Sequence, residues 1–124
     1  NLNWMQVGAK NADGYGFYDI VRGGMDKGVG LTDLCARLDL PREETVAAGD
    51  SANDLSMLRT AGLGVCMANG TEDAKAAADR VIGDVREDGL AALIEELWFD
   101  GPKAEPSGRN LGSAWAQIES AGGQ

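Results

Sequence analysis

Two aspartates, a serine and an asparagine are packed into the run Gly49-Asp50-Ser51-Ala52-Asn53-Asp54, directly after the apolar stretch Thr45-Val46-Ala47-Ala48. Hard oxygen donors gathered on one loop suit Mg²⁺, which takes one or two carboxylates and completes its shell with water and substrate phosphate. A helix opening in the same loop adds N–H groups and a positive dipole end, both favourable to an anion. A plainer role is available, because Asp50 or Ser51 would serve equally as a helix cap. The full spacing Gly-Asp-x-x-Asn-Asp at a strand end is much rarer than an isolated Gly-Asp. Lys27 is the basic residue that could join this group. It stands where a helix is expected to start, an electrostatically poor place for a cation unless an anion is near. Asp26 could cap that helix and soften the misfit, and a solvated surface lysine is the plain alternative.

The elements that must carry these residues follow from periodicity. Leu31, Leu34, Cys35 and Leu38 recur at helical spacing, which predicts a helix from about Lys27, ended by Pro41. Thr45 to Ala48 reads as a strand, and a helix is expected from about Asn53 to Ala61 with Gly62 as its left-handed terminal residue. Leu63 to Met67 reads as a buried strand. Thr71 should cap the next helix, with Glu72 and Asp73 at its positive end. Val81-Ile82 is a short strand, and Asp88 should cap a final helix carrying Leu90, Leu93, Ile94 and Leu97. Upstream, Leu2 to Val7 suits a strand, Asn11 to Gly14 a turn, and Phe17 to Val21 a second short strand.

Strands apolar on both faces and alternating with helices predict an α/β fold: parallel strands in a partial Rossmann-like, three-layer α/β/α core. Ligands in such sheets bind at the carboxyl ends of strands, where Asp50 is expected. Past Trp98 the composition shifts. Residues 101–108 read as a Pro/Gly linker, after which Leu111, Ala114, Trp115 and Ile118 either share a short helix face or belong to a loose tail.

Bulk properties narrow the chemistry. The 124 residues suffice for one domain, and eleven basic against twenty acidic residues give a net charge of −9. That balance argues against nucleic acid as a partner, yet a local lysine and a metal ion can still hold a small phosphate. No apolar run is long enough for a membrane span. Histidine is absent, which removes Ser-His and Cys-His nucleophile pairs and imidazole metal sites. Cys35 and Cys66 lie far apart in apolar stretches, as expected of buried free thiols in a reducing cytoplasm. The first residue is Asn, so a processed or trimmed product is expected.

Residues Asp19 to about Leu97 resemble the C-terminal part of a haloacid-dehalogenase-superfamily phosphatase, in the sugar-phosphatase-like branch with an α/β cap. The stretches that carry the resemblance are Asp19-Ile20-Val21, Asp26-Lys27-Gly28, Gly49 to Asp54 through Met57-Leu58, Ala61-Gly62, Gly64 to Asn69, Ala78 to Val81 and Glu87 to Leu90. The resemblance implies a Mg²⁺-dependent phosphomonoesterase acting on a small phosphorylated metabolite. It implies that Lys27 is catalytic and neutralises the phosphate, that Asp50 is catalytic and ligates the metal, that Asp54 supports the metal, and that Asn53 binds phosphate. It also assigns residues 1–16 to a remnant of the cap end or an N-terminal arm, 17–99 to the C-terminal half of the core domain, and 100–124 to a linker with a possible short amphipathic helix.

The chain departs from that family at one decisive place. The family's nucleophile and general acid come from an Asp-x-Asp-Gly-Thr segment, and these 124 residues contain none. Asn11-Ala12-Asp13-Gly14-Tyr15 is a faint likeness with the first acid replaced. A truncated fragment of an enzyme is one expectation; a non-catalytic, self-associating module derived from such a phosphatase is the other. Without the neighbouring nucleophile strand, Thr45 to Ala48 would be an exposed apolar edge, so a homodimer covering it is expected unless residues 2–7 or 17–21 fold back there.

Overall fold

The computed structural model describes residues 1–8 and 10–99. The expected linker and Trp115 helix lie outside the described residues. The described chain forms an antiparallel hairpin followed by a parallel α/β unit.

The hairpin pairs β1 (Leu2–Val7) with β2 (Phe17–Arg22), Leu2 opposite Arg22 and Val7 opposite Phe17. The turn between them follows from Asn11, whose side-chain oxygen accepts the N–H groups of Asp13 and Tyr15, while Gly14 takes a positive φ of 84°. Asn11 to Tyr15 is thus an exposed hairpin turn and does not end a parallel strand, so its residue types need no catalytic explanation. The strand at 17–22 pairs with β1 and not with the parallel sheet, so the expected boundary after residue 16 falls inside the hairpin. Neither hairpin strand fills the edge beside Thr45 to Ala48.

The parallel sheet has the order β3-β4-β5, built from Val46–Gly49, Leu63–Met67 and Arg80–Ile82. Register sets Val46 beside Leu63 and Val65 beside Arg80. The alternation of β4 makes the three layers. Leu63 and Val65 join Ile82 and Leu93 of α4 (Gly89–Ile94) on one face, whereas Cys66 joins Leu58 of α2 (Leu55–Thr60) and Ala74 of α3 (Glu72–Ala77) on the other. This is the expected three-layer α/β/α arrangement, with a central strand buried on both sides. α1 (Lys27–Leu38) packs outside α2. Cys35 and Cys66 are both buried and not bonded to each other.

Several expected details differ. α1 stops at Asp39, which adopts a left-handed conformation at φ 54°, before Pro41 is reached. Leu34 and Leu38 of its apolar stripe are 52% and 58% exposed, because α1 buries only Gly28 and Cys35 and the rest of the stripe is left partly uncovered. The helix expected from Asn53 to Ala61 is split into a 3₁₀ turn over Ala52–Asp54 and then α2. Gly62 is not left-handed: the chain after Thr60 is extended at Ala61, and Gly62 is needed because a Cβ there would lie 2.0 Å from the Glu43 carbonyl oxygen. Thr71 caps α3 as expected, through a bond from the Ala74 N–H. Asp88 stands before α4 but caps it only with its backbone, being itself left-handed at φ 53°. The chain then widens into a π-helical turn over Glu95–Phe99, held to β5 by a two-pronged bond from Arg80 to Glu96 at 2.9 and 2.7 Å.

Candidate active site

Asp50 follows the last residue of β3, at the carboxyl end of the parallel sheet. From there the chain turns sharply, and Asp54 folds back over the strand it has just left. Its Oδ2 accepts the N–H of Asp50 at 2.9 Å and of Ser51 at 3.3 Å, the reciprocal half of a capping box. Gly49 makes this possible. A Cβ at that position would stand 2.5 Å from the Asp54 Cβ and 2.8 Å from its Oδ2. The glycine before Asp50 thus provides room for a returning carboxylate.

The other oxygen of Asp54 faces α1. Lys27 Nζ donates to Asp54 Oδ1 at 2.5 Å, joining the start of α1 to the loop. Asp54 is nearly buried at 7% side-chain exposure, while Lys27 keeps 45% and so reaches solvent. Burial pushes the Asp54 carboxyl up, but the bonds from Lys27, Asp50 and Ser51 outweigh it and hold the group below its ordinary value of 3.8. A depressed folded value contributes stability above the unfolded value, and that stability is lost as pH falls through the folded one. Half-buried Asp84, held by Arg86 down to about 2, and exposed Asp73 act in the same direction. Unfolding by urea at about pH 5 and about pH 3 should therefore show a marked loss on the acid side, and Asp54→Asn should reduce that loss. An equal acid loss in the variant would remove Asp54 from the cause.

The remaining residues of the group are placed around this pair. Asp50 is exposed, with its carboxylate outside the bonds that hold the loop, and its carbonyl accepts the Thr71 N–H at 2.8 Å. Asn53 is half-buried; its side-chain oxygen accepts from Ser51 Oγ at 2.8 Å, which leaves the amide NH₂ to donate. Lys27 and Asp54 are thus in direct contact, Asp50 is tied to Asp54 through its own N–H, and Asn53 lies in the same turn. Sequence reasoning missed Thr71 as a partner of Asp50, for which no local pattern exists. The structure gives Asn69 a bond from the Val85 N–H at 3.0 Å, which fastens the turn after β5 to the loop after β4.

Among the described residues no three His, Cys, Asp or Glu side chains gather into a cage that could hold a metal ion unaided. The donor chemistry fits Mg²⁺ nonetheless, because that ion needs only one or two carboxylates when water and phosphate supply the rest. Asp50 has a whole carboxylate to offer. Asp54 has given three of about four lone-pair directions to Lys27, Asp50 and Ser51, so it suits water-mediated support better than direct ligation.

A family model for haloacid dehalogenase-like hydrolases matches residues 7–94. The 5-amino-6-(5-phospho-D-ribitylamino)uracil phosphatase YitU of Bacillus subtilis is 42% identical over 80 residues, which are 64% of this chain and 30% of that protein. A solved haloacid dehalogenase-like hydrolase from Bacteroides thetaiotaomicron superposes with a TM-score of 0.65 at 37% identity, covering 78% of this chain and 34% of the other. The sugar phosphatase BT4131, described as subclass IIB of the superfamily, superposes with a TM-score of 0.62 at 38% identity over 65% of this chain and 31% of its own. The chain thus spans about a third of the length of these relatives. Family match, identity and superposition agree with the strand-end geometry, and the chain belongs to the haloacid dehalogenase-like hydrolases.

Proposed function

We propose that this chain supplies the metal- and phosphate-binding half of a Mg²⁺-dependent phosphomonoesterase site for a small phosphorylated metabolite. The observation that carries the reading is the Lys27–Asp54 pair locked beside Asp50 at the end of β3. Lys27 has an exposed ammonium that can donate to a phosphate oxygen while Asp54 steadies it. The Asn53 amide can donate a second bond. Charge makes the metal necessary: one lysine against two aspartates leaves the cluster net negative and repels a phosphate dianion. A bound Mg²⁺ would reverse that sign and draw charge from the phosphoryl oxygens, with Asp50 as its direct ligand and Asp54 behind it. No described residue of this chain is placed to be the aspartyl nucleophile, so turnover requires that group from another segment.

The expected result is no phosphomonoester hydrolysis by this chain alone. Mg²⁺-dependent hydrolysis should appear when a polypeptide bearing an Asp-x-Asp-Gly-Thr strand is added, and Asp50→Asn should cut it about 100-fold. Turnover insensitive to chelation or to Asp50→Asn would refute the reading, as would a stable but inert reconstituted pair.

Among the described residues the outer edge of β3 is unpaired, and this edge, where an added strand would pair, also supports a homodimer in its absence. Light scattering should give twice the chain mass alone, with dissociation when the complementary polypeptide is present; a monomer alone would exclude the dimer. Two buried unpaired thiols support a reducing, cytoplasmic setting, and no described helix is long and apolar enough to cross a membrane.

A further inference from the structure

We infer that Ser56 is a positioning residue for Lys27, acting through the backbone of Gly28. The inference rests on the reading of Lys27 as the phosphate-binding lysine and adds the device that aims it.

Lysine is a flexible, four-carbon tether, so its ammonium is only as well placed as the backbone from which it springs. Lys27 is the first residue of α1, where fraying is greatest and the leading N–H groups have no partner within the helix. Two side chains bind those groups. Asp26 accepts the Val29 N–H at 2.8 Å, an ordinary cap from the chain's own preceding residue. The Gly28 N–H goes instead to Ser56 Oγ at 3.0 Å, on a different helix.

Gly28 is buried, and its lack of a side chain brings the two helices together. A Cβ there would lie 2.8 Å from the Ser56 carbonyl oxygen and 2.9 Å from Thr60 Oγ1. The first turn of α1 therefore rests directly on the backbone of α2. Ser56 itself follows Asp54 by two residues. One bond, Gly28 N–H to Ser56 Oγ, fixes the root of Lys27, and the other, Lys27 Nζ to Asp54 Oδ1, fixes its tip. Both ends are referred to the same short stretch of chain, which also fixes the Asp50 loop. Small displacements of a binding group cost large factors in function, and this closed link removes the freedom that would permit them.

Titrating inorganic phosphate in the presence of Mg²⁺ into the whole chain by calorimetry tests this. Lys27→Ala should nearly abolish binding, Ser56→Ala should weaken it about 10-fold, and Ser56→Thr, which keeps the hydroxyl, should restore parental affinity. All three should be measured well below their unfolding midpoints, so that affinity is read on folded protein. Loss in Ser56→Ala with recovery in Ser56→Thr supports positioning. Parental affinity in Ser56→Ala while Lys27→Ala fails to bind would overturn this inference alone. Equal loss in Ser56→Ala and Ser56→Thr would show a packing role and overturn it as well. A parent that binds no phosphate, or a Lys27→Ala variant that binds like the parent, would overturn the reading of Lys27 and this inference with it.

Discussion

Replacing Asp54 with alanine should cost the fold about 2–4 kcal/mol in urea unfolding at neutral pH, more than any other single truncation at the site. The side chain receives three donors, the N–H groups of Asp50 and Ser51 and the ammonium of Lys27. Truncation leaves the Ser51 N–H, in a buried residue, with no acceptor, and the penalty of an unsatisfied buried donor dominates the cost. Lys27 adds less, because at 45% exposure it can turn to water. The order of variants is as informative as the size. Asp54→Asn keeps the shape and one oxygen acceptor, so it should lose clearly less than Asp54→Ala. A loss under about 0.5 kcal/mol for the alanine variant would mean that the loop is held by its backbone alone.

The second large effect is expected in the central strand of the sheet. Gly64→Ala should cost about 3 kcal/mol or more, or prevent folding altogether. Gly64 lies in the central strand, and a Cβ there would stand 2.2 Å from the Leu58 carbonyl oxygen and 3.1 Å from its Cα. Those atoms are helix backbone, so relief requires α2 to move as a body. α2 begins where the Asp50 loop ends, so the shift should reach the site even if the protein folds. Gly30→Ala is the control. Its Cβ meets nothing within 4 Å in the middle of α1, so it should stabilise by about 0.5–1 kcal/mol. Unfolding midpoints of the two variants should move in opposite directions. Two similar midpoints would refute the close approach of β4 and α2.

Much of this was legible in the chain. The strand at Leu63 to Met67 and the caps at Asp26 and Thr71 follow local rules, because alternation, apolar runs and side-chain caps act over only a few residues. The run from Gly49 to Asp54 announced a polar loop at a strand end for the same reason. Its family likeness fixed the lineage, which the match over residues 7–94 bears out. Helix periodicity was less reliable. It gave α1 an apolar face that the structure leaves partly exposed, because burial depends on which helix lies opposite, and α2 approaches α1 at Gly28.

Tertiary structure alone decided the relations between distant residues. The composition of Phe17 to Arg22 suits a strand in either sheet, and only pairing shows it beside β1. Gly62 and Gly64 look like turn or strand glycines in sequence, yet each is required by a backbone atom of another element. At the site, the sequence by itself supplies at Lys27, Asp50, Asn53 and Asp54 the charges and donor types that the proposed metal and phosphate cradle needs. It could not determine that Asp54 spends most of its acceptors on Lys27 and its own loop, leaving Asp50 as the open carboxylate. Nor could it show that Ser56 and Thr71 hold the two halves in place. Residue type fixes what a group can donate or accept; only the meeting of elements far apart in the chain fixes which of those bonds are already made.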